Sequence, residues 1–398
     1  MRLCLDNMEK QWDIVIVGGG LSGLTLAAEL AAPEFAALSV LVLEKRASYV
    51  RDRTWSYWSP SAGTQHRYSQ LERARWSKWA VSLNDRYCKH TSAQRVYATL
   101  DADAFYAAAV QSIDSSNHVE LRLDTGVTLI SAQSTGQSAT VTTEFGGTVQ
   151  AHWVFDARPP QRVEADTLVQ QFAGWEVHTE HDAFDTDTVQ LMAFEPHAMG
   201  LHFWYVLPYS SCSALVESTW ISPCSWQPDT TQELEQYLTQ HLQGKSYSVV
   251  YQEQGVLPLN AVQSAPASQV VTLGRGGGTL RPSTGYAFLD TLAHAKGLAD
   301  SLRSTLSDGG VETARTNWRP QAFTRPATDH WMDAVFLNAL SQDWLRAPQY
   351  FMQLFERVGA DGVVAFLSGR AGLAERIAIM RALPVAPFAS AALRRLVA

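Results

Sequence analysis

The distribution of apolar and polar positions predicts that the chain opens with a strand, a tight turn and a helix. Residues 13–17 (DIVIV) are a short β-branched run, the glycine-rich stretch 18–23 follows, and the helix formers TLAAELAA come next. A second apolar run, SVLVL at 39–43, predicts another strand. This order of elements is typical of a βαβ unit that binds a nucleotide.

One helix and a long extended segment are predicted in the following part of the chain. Residues 101–112 have the composition of a helix, for which Asp101 or Asp103 is available as the N-cap. The segment 118–155 consists of short alternating runs separated by Thr-Gly and Gly-Gly turns. Such alternation predicts a β-meander.

A hairpin and a second helix are predicted next. The apolar runs at 201–207 and 213–221 flank a short polar turn, and each is long enough for a strand. The sequence Thr230-x-x-Glu233 resembles a capping box, so we expect a helix to open there and to run to about His241.

The last third of the sequence predicts a strand, a glycine-rich turn and then helices. VVTLG (270–274) is the predicted strand, a helix starts at about Gly285, and apolar residues recur at helical spacing beyond Asp300. The tail 367–398 combines apolar positions with one glutamate and five arginines. It fits a solvated helix face and a segment lying on a lipid surface equally well. The arginines are Arg370, Arg376, Arg381, Arg394 and Arg395.

Composition narrows the class of protein. The length of 398 residues predicts two to three domains, or one large α/β domain with an insertion. With 18% charged and 10% aromatic residues the chain is expected to be globular, which excludes coiled coils and disorder. A net charge of −8 argues against nucleic acid as a partner. The N-terminal segment lacks an apolar core and no long apolar run follows, so we expect a cytoplasmic protein without a spanning helix. The four cysteines have no metal-ligand spacing, so we expect reduced thiols and no metal site.

The glycine-rich stretch has the spacing of a dinucleotide site. Gly18 allows the turn, Gly20 allows backbone N–H groups to approach a pyrophosphate, and Gly23 allows the helix to pack against the strand. Glu44 lies 21 residues after Gly23, where an acidic residue binds a ribose. Further candidate contacts in these two segments are Leu21, Ser22 and Lys45.

A second glycine-rich segment favours FAD as the cofactor. Residues 273–278 (LGRGGG) are followed by RPSTGY at 281–286, which is suited to hold a ribityl chain and a flavin near a helix N-terminus. In hydroxylases of similar layout the second site usually reads Gly-Asp, whereas Arg275 follows Gly274 here. Candidate contacts of this second site, with two residues from other segments, are Gly274, Pro282, Thr284, Gly285, Tyr286, Arg53 and Asp156. Arg53 is equally well explained by a surface ion pair, and Asp156 by the cap of a turn.

Five segments together resemble the bacterial lycopene β-cyclase family along nearly the whole chain. The resemblance implies a membrane-associated enzyme that contains FAD and closes the open ψ-ends of linear carotenoids, such as lycopene, without net oxidation. It also implies flavin reduced by NAD(P)H and a carotenoid substrate delivered from lipid at the inner face of the cell membrane. The segments are VGGGLSGL (17–24), RTWSYW (53–58), the YVLPYS…ALVEST hairpin, EQGVLPL (253–259) and GTLRPSTGYAF (278–288).

The resemblance assigns the essential acid of the hairpin to Glu217. Its strand neighbours Leu215 and Val216 are apolar, so an inward-facing carboxyl would lose water and its pKa would rise. A carboxylic acid kept protonated in this way protonates an alkene, either directly or at the end of a relay. Without the motif, a surface glutamate on an alternating strand would be the simpler interpretation. Ser218 follows where relatives often carry a second acid.

Six aromatic residues are candidates for lining a substrate cavity. An aromatic face contributes about 2 kcal/mol or more to a desolvated cation, so several would stabilise a carbocation. Ordinary core packing is the alternative for each one. The six are Trp55, Tyr57, Trp58, Phe203, Trp204 and Tyr205.

The predicted architecture is α/β: a Rossmann-like FAD-binding domain of the two-dinucleotide-binding type, an inserted β-rich substrate domain and a C-terminal helical cap. Two other functions remain open, namely an FAD-dependent hydroxylase or isoprenoid reductase acting on an apolar polyene, and a carrier that keeps FAD for its structure. The predicted boundaries are 12–60, 95–160 and 265–300 for the FAD domain, 61–94 and 161–264 for the substrate domain, and 301–398 for the helical region.

Overall fold

The computed structural model describes residues 11–62, 66–132, 138–159, 163–260 and 269–397. The strands in these ranges are β1 (Gln11–Val17), β2 (Val40–Leu43), β3 (Thr54–Pro60), β4 (Ala74–Trp76), β5 (Lys78–Leu83), β6 (Arg86–Thr91), β7 (Arg95–Asp101), β8 (Val119–Arg122), β9 (Val127–Ala132), β10 (Ala139–Thr143), β11 (Thr148–Asp156), β12 (Leu168–Thr179), β13 (Thr188–His197), β14 (Gly200–Ser210), β15 (Ser213–Pro223), β16 (Tyr247–Pro258) and β17 (Val270–Thr272). The helices are α1 (Leu21–Leu30), α2 (Ala102–Asp114), α3 (Thr230–His241), α4 (Phe288–Asn317), α5 (Ala327–Gln342), α6 (Ala347–Arg357), α7 (Ala360–Leu367), α8 (Leu373–Ala382) and α9 (Val385–Val397).

The first sheet carries the predicted nucleotide-binding unit. Its order is β8-β2-β1-β11-β10-β9, and the short β17 pairs with β11. β1 is parallel to both β2 and β11, as the strand, turn, helix and strand pattern predicts. β1 and β2 are buried on both faces because Ile14 and Ile16 pack with α1, α2 and α4, while Val15 and Val17 pack with residues of β10 and β11. Of the β-meander predicted over 118–155, β9, β10 and β11 are confirmed as antiparallel neighbours, whereas β8 pairs in parallel with β2 at the opposite end of the sheet.

The second sheet is long, mostly antiparallel and ordered β16-β12-β15-β14-β13-β5-β6. The predicted hairpin of the two apolar runs is β14 and β15. One face of the sheet packs against α5, α6 and α7, and the other face packs against α3 through Leu234 and Leu238. β15 is buried on both faces along nearly its whole length, although Glu217, Ser218 and Thr219 interrupt its apolar residues.

A third sheet of three strands, β3-β7-β4, lies between the other two. Tyr57 of β3 stacks on Phe288 of α4, with ring centroids 4.6 Å apart, and belongs to the core of the first sheet. Its neighbour Trp58 packs against Trp79 in the core of the second sheet. Successive side chains of β3 therefore contact different halves of the molecule. The predicted FAD-domain segments 12–60 and 95–160 include β3 and β7, and those boundaries stay a prediction.

α3 spans Thr230–His241, as the sequence predicts, but its capping residue differs from the prediction, and α4 starts later than predicted. Asp229, not Thr230, caps α3, because its side chain accepts a hydrogen bond from the Gln232 backbone N–H at 3.0 Å. The capping-box prediction was wrong because Glu233 is engaged elsewhere, with Ser218 and Trp220. α4 begins at Phe288, three residues after the predicted Gly285, which has φ +72° and belongs to the preceding turn.

Asp101 occupies the predicted N-cap position of α2 but makes no side-chain cap bond. Its carboxylate instead pairs with Arg51 at 3.3 Å and Arg73 at 3.1 Å. Both arginines also bind Glu176 of β12, at 2.7 and 2.6 Å. The side chain of Asp101 is thus part of an ion cluster that joins the second and third sheets.

The C-terminal region is helical, as predicted. In the described part of the chain, no single helix is long and apolar enough to cross a bilayer. α8 and the Val385–Arg395 part of α9 pass that test of length and composition together, with a bend of 117° between them.

Candidate active site

The first glycine loop has the space and the backbone that a dinucleotide needs. Gly18 has φ +100°, and a Cβ at Gly23 would lie 1.9 Å from the Gly18 carbonyl oxygen, so neither position accepts a side chain. A Cβ at Gly20, the residue before α1, would meet no heavy atom within 4 Å. The N-terminus of α1 is therefore open on the side where the sequence predicts a pyrophosphate.

Glu44 is a buried carboxylate at the end of β2. It accepts a hydrogen bond from the Gly19 backbone N–H at 2.5 Å and from the Arg46 side chain at 3.0 Å. Burial alone would raise the pKa of Glu44, but these hydrogen bonds outweigh it and the pKa is lowered. The residue is an ionised acceptor beside the glycine loop. Lys45 is exposed.

The second glycine loop contacts the first. Gly274 has φ +60°, and a Cβ there would lie 2.6 Å from the Ser22 hydroxyl, so the two loops touch at the predicted cofactor residues. Gly285 packs against the side-chain amide of Gln170, which a Cβ would approach to 2.3 Å. Among the described residues, the buried Thr284 hydroxyl has no hydrogen-bond partner.

Two arginines with unequal partners lie at this junction. Arg53 pairs with Asp52 at 2.9 Å, whereas Arg275 has no acidic partner among the described residues and donates to the Val256 carbonyl. Burial, followed by repulsion from Arg53, lowers the pKa of Arg275. An incompletely neutralised cation beside an open glycine loop fits a pyrophosphate. Asp156 accepts from the Arg158 backbone N–H at 3.1 Å and so caps the turn after β11.

The predicted acid, Glu217, forms a buried pair with a second carboxyl. Strand pairing puts Tyr205, Glu217, Gly174 and Glu253 in one row across β14, β15, β12 and β16. A Cβ at Gly174 would lie 2.8 Å from Glu217 Cγ and 3.4 Å from Glu253 Cγ. The missing side chain of Gly174 leaves the space in which the two carboxyls meet, and they are hydrogen-bonded to each other.

The two carboxyls differ in their surroundings. Burial, and then the charge and hydrogen bond of Glu253, raise the pKa of Glu217 well above its usual range. Burial also raises the pKa of Glu253, but hydrogen bonds from Glu217 and Tyr251 oppose the shift. Tyr251 donates its hydroxyl to Glu253 at 2.7 Å. Both pKa values are raised, and the surroundings favour the proton on Glu217 over Glu253.

Sequence reasoning missed Glu253, although EQGVLPL was among the segments that carried the resemblance. The other positions of β16 are exposed or half-buried, and the sequence of the strand gives no sign that Glu253 alone is buried. Glu253 becomes visible only through the register of β12, which pairs Gly174 with both glutamates.

Three tyrosines, the buried Tyr97 and the partly buried Tyr205 and Tyr286, continue from the carboxyl pair toward the second glycine loop. The Tyr205 hydroxyl lies 2.8 Å from the Ser56 hydroxyl and 3.0 Å from that of Tyr97, which is 3.1 Å from Tyr286. Burial, followed by the charge of Glu217, raises the pKa of Tyr205 well above its usual range. These phenols are neutral, and their contacts connect the site of Glu217 to the RPSTGY segment (281–286).

The six predicted lining aromatics do not share one face. Phe203, Tyr205 and Trp58 pack in the core on the Glu217 side of the second sheet. Trp55 and Tyr57 pack against Phe288, although Tyr57 and Trp58 both line a small cavity beside Tyr286.

Trp204 lies on the opposite face of the sheet from Glu217. It stacks on Tyr237 of α3, with centroids 4.0 Å apart, and donates its indole N–H to Glu195 at 2.8 Å. The structure therefore does not bring Trp204 to the carboxyl pair, because adjacent strand residues face opposite ways.

Ser218 also faces away from Glu217. Its hydroxyl donates to Glu233 of α3 at 2.5 Å, and the indole N–H of Trp220 donates to the same carboxylate at 3.0 Å. His202 lies 3.1 Å from the Ser218 hydroxyl. Ser218 and His202 are buried, and their polar atoms hold α3 against the sheet. Ser218 thus belongs to a structural network.

Two touching glycine loops and a dry carboxyl pair between sheets define a flavoprotein of the two-dinucleotide-binding type with an acid in its second domain. Solved structures agree on this fold. A geranylgeranyl bacteriochlorophyll reductase-like protein from Thermoplasma acidophilum superposes with a TM-score of 0.66 at 13% identity, over 97% of this chain and 98% of that one. The halogenase PltM in complex with phloroglucinol and FAD gives 0.58 at 13% identity, over 90% and 82%. The predicted fold class is confirmed.

The chain belongs to the lycopene cyclase family, because residues 13–393 match the family described as Lycopene cyclase protein. Two bacterial relatives named lycopene beta-cyclase are similar over 95% of this chain and 96% of their own length. The relative from Paracoccus sp. (strain N81106 / MBIC 01143) is 27% identical, and the one from Pseudescherichia vulneris is 25% identical. The family resemblance inferred from the motifs is confirmed.

Proposed function

We propose that this enzyme is a lycopene β-cyclase, which converts the ψ-end groups of lycopene into β-rings and gives γ- and then β-carotene. The observation that carries the proposal is Glu217, a buried carboxylic acid held protonated beside a second carboxyl. Cyclisation begins with protonation of an unactivated alkene, and a dry, protonated acid is the group that such a step needs.

The reaction is an isomerisation in which every proton is accounted for. Glu217 donates its proton to the terminal double bond, which leaves a tertiary cation and a carboxylate. The neighbouring internal double bond attacks the cation and closes a six-membered ring. A base in the site then takes one proton from the ring cation, which forms the β-end double bond, and the Glu217 carboxylate regains a proton before the next turnover. One proton is gained and one is lost, so product and substrate have the same atoms. The phenol of Tyr205 faces Glu217 across the paired strands and Tyr97 lies behind it, so the two help to shield the acid from water.

The glycine loops fit FAD. Gly18, Gly20 and Gly23 with the α1 N-terminus are suited to the pyrophosphate, Glu44 to a ribose, and Arg275 to an uncompensated phosphate charge. The Thr284 hydroxyl, which has no hydrogen-bond partner among the described residues, is suited to bind the part of FAD that lies at the second glycine loop. When bound and reduced by NAD(P)H, flavin supplies an electron-rich ring that stabilises cations electrostatically and need not transfer hydride.

The substrate is a long hydrocarbon, so we propose that the enzyme works at the inner face of the cell membrane. α8 and α9 expose Leu373, Met380, Val385 and Leu393 by 77, 56, 79 and 63%. Arg381, Arg394 and Arg395 are exposed among them. Apolar side chains surrounded by cations suit an anionic lipid surface. Arg376 is already paired with Asp329 at 2.5 Å and is a weaker candidate.

Anaerobic incubation of the purified protein with lycopene, FAD and NADPH tests the proposal. We expect bicyclic and monocyclic carotenes by chromatography, with catalytic rather than stoichiometric NADPH consumption, and the same products when dithionite replaces NADPH. NADPH oxidation that follows product one to one would instead identify a flavin oxidoreductase acting on a polyene. Lycopene that is bound but unchanged would identify a carrier.

A further inference from the structure

The pairing of Glu217 with Glu253 leads beyond a single acid. Their strands, β15 and β16, are not neighbours, since β12 lies between them and contributes only Gly174 to the row. Any side chain at Gly174 would fill the space between the carboxyls, because a Cβ would already lie 2.8 Å from Glu217 Cγ. Glycine within a strand weakens a sheet, and it is typical of places where other groups approach the backbone closely. Here the two carboxyls are those groups.

The charges around the pair make the two glutamates unequal. Tyr205 of β14 faces Glu217, while Tyr251 of β16 donates its hydroxyl to Glu253 at 2.7 Å. Arg51 lies over the ring of Tyr251, with its guanidinium carbon 3.7 Å from the centroid, and is itself paired with Glu176 and Asp101. Cationic and hydrogen-bonding groups therefore stabilise negative charge on Glu253 and leave Glu217 without them.

We propose that Glu253 is a positioning residue for catalysis: the two carboxyls share one proton across the gap at Gly174, and ionised Glu253 keeps that proton on Glu217. This inference rests on the proposed cyclase function. In a pair of this kind, one carboxyl ionises easily and the other only at much higher pH. Tyr251 and Arg51, which lie beside Glu253, make Glu253 the carboxyl that ionises more easily.

Glu253→Gln tests the charge of Glu253 while preserving its size and hydrogen bonding to Glu217. Activity requires protonated Glu217, so the rate falls on the alkaline side as that proton is lost. Removing the neighbouring negative charge makes the proton easier to lose, and we expect the alkaline limb of the pH–rate profile to move down by about one pH unit or more. A purely structural role for Glu253 would lower the rate and leave the limb in place.

Gly174→Ala tests the gap itself without changing any charge. The added methyl separates the carboxyls, so we expect the limb to move in the same direction. Gly255→Ala is the matched control, because a Cβ there would meet the Phe172 ring at 2.7 Å and neither carboxyl. This control leaves the limb where it is in the wild type. Flavin absorbance reports folding, and Gly174→Ala decides the result if Glu253→Gln does not fold.

An infrared titration separates this inference from the cyclase proposal. The carbonyl band of a protonated carboxylic acid, assigned by its loss in Glu217→Gln, is followed against pH without substrate. We expect its midpoint to fall in Glu253→Gln and in Gly174→Ala. An unchanged midpoint and an unchanged alkaline limb in both folded variants would overturn the shared proton, whereas wild-type protein that forms no rings would overturn only the function.

Discussion

At the scale of single residues, the proposed function depends on one proton held at Glu217. Glu217→Gln keeps the size of the side chain and removes the acidic proton, so folding and flavin content should survive. General acid catalysis contributes about 10²–10⁴-fold, and we expect a loss at or beyond the upper end of that range. Chromatographic product analysis gives the rate.

Glu235→Gln is the matched control for this experiment, because Glu235 is exposed on α3, on the other side of the second sheet. It should cyclise lycopene at the wild-type rate. Wild-type turnover by folded, flavin-loaded Glu217→Gln protein would exclude Glu217 as the proton donor.

Gly20 is the residue on which cofactor binding is most simply tested. A valine there would point into the open side of the loop, where nothing lies within 4 Å of a Cβ, and would block approach of the pyrophosphate to the backbone. We expect flavin occupancy, measured by absorbance of the purified protein, to fall at least tenfold.

Gly297→Val adds the same side chain to an exposed position of α4 with equally open surroundings. It should keep its flavin. Full occupancy in Gly20→Val would place the cofactor elsewhere.

At the scale of elements, the ion cluster of Glu176 with Arg51 and Arg73 fastens β12 to the third sheet. Burial alone would raise the pKa of Glu176, but the two arginines outweigh it and lower the pKa to about 2 from 4.5. A folded-state pKa below the unfolded value gives stability that is present above pH 4.5 and is lost as pH falls toward 2. A shift of this size corresponds to about 3 kcal/mol.

Glu176→Gln should therefore unfold more easily than wild type at pH 7, by about 3 kcal/mol in denaturant titrations. The difference between the two proteins should shrink steadily below pH 4.5. A difference that stays constant from pH 7 to pH 3 would show that Glu176 contributes through packing rather than charge.

How much the sequence predicts also differs from element to element. The strand, glycine turn and helix of the first sheet can be predicted from the local sequence. The residues around each glycine show why the backbone needs a glycine at that position. Hairpin β14–β15 follows equally well, and with it the placement of Glu217 on a buried strand. Glu253 does not follow, because only the pairing of three strands distant in sequence brings it to Glu217. Trp204 shows the same limit, since a run of aromatic residues does not reveal which face each one occupies.

At the scale of the whole molecule, the C-terminal helices are the predicted contact with lipid. Reversing the charge of Arg381, Arg394 and Arg395 to glutamate removes attraction worth about 1 kcal/mol per cation near an anionic surface. We expect co-sedimentation with vesicles containing anionic lipid to fall at least tenfold at low salt, and wild-type binding to weaken as salt rises.

The same charge change at the exposed positions Lys89, Lys245 and Arg319 serves as the control and should leave vesicle binding intact. Binding that responds neither to salt nor to the arginine reversals would remove the tail as the docking face.

The position of β3 between two cores has a consequence for how such enzymes can be recombined. Ser56 and Trp58 contact the sheet that carries the carboxyl pair, while Trp55 and Tyr57 contact the helix that follows the second glycine loop. The side chains at odd positions of β3 thus contact one half of the protein, and those at even positions contact the other half. In a chimaera of two relatives joined inside 54–60, some side chains of β3 would face a core that comes from the other relative. We therefore expect chimaeras that fold and keep activity to be joined outside this strand.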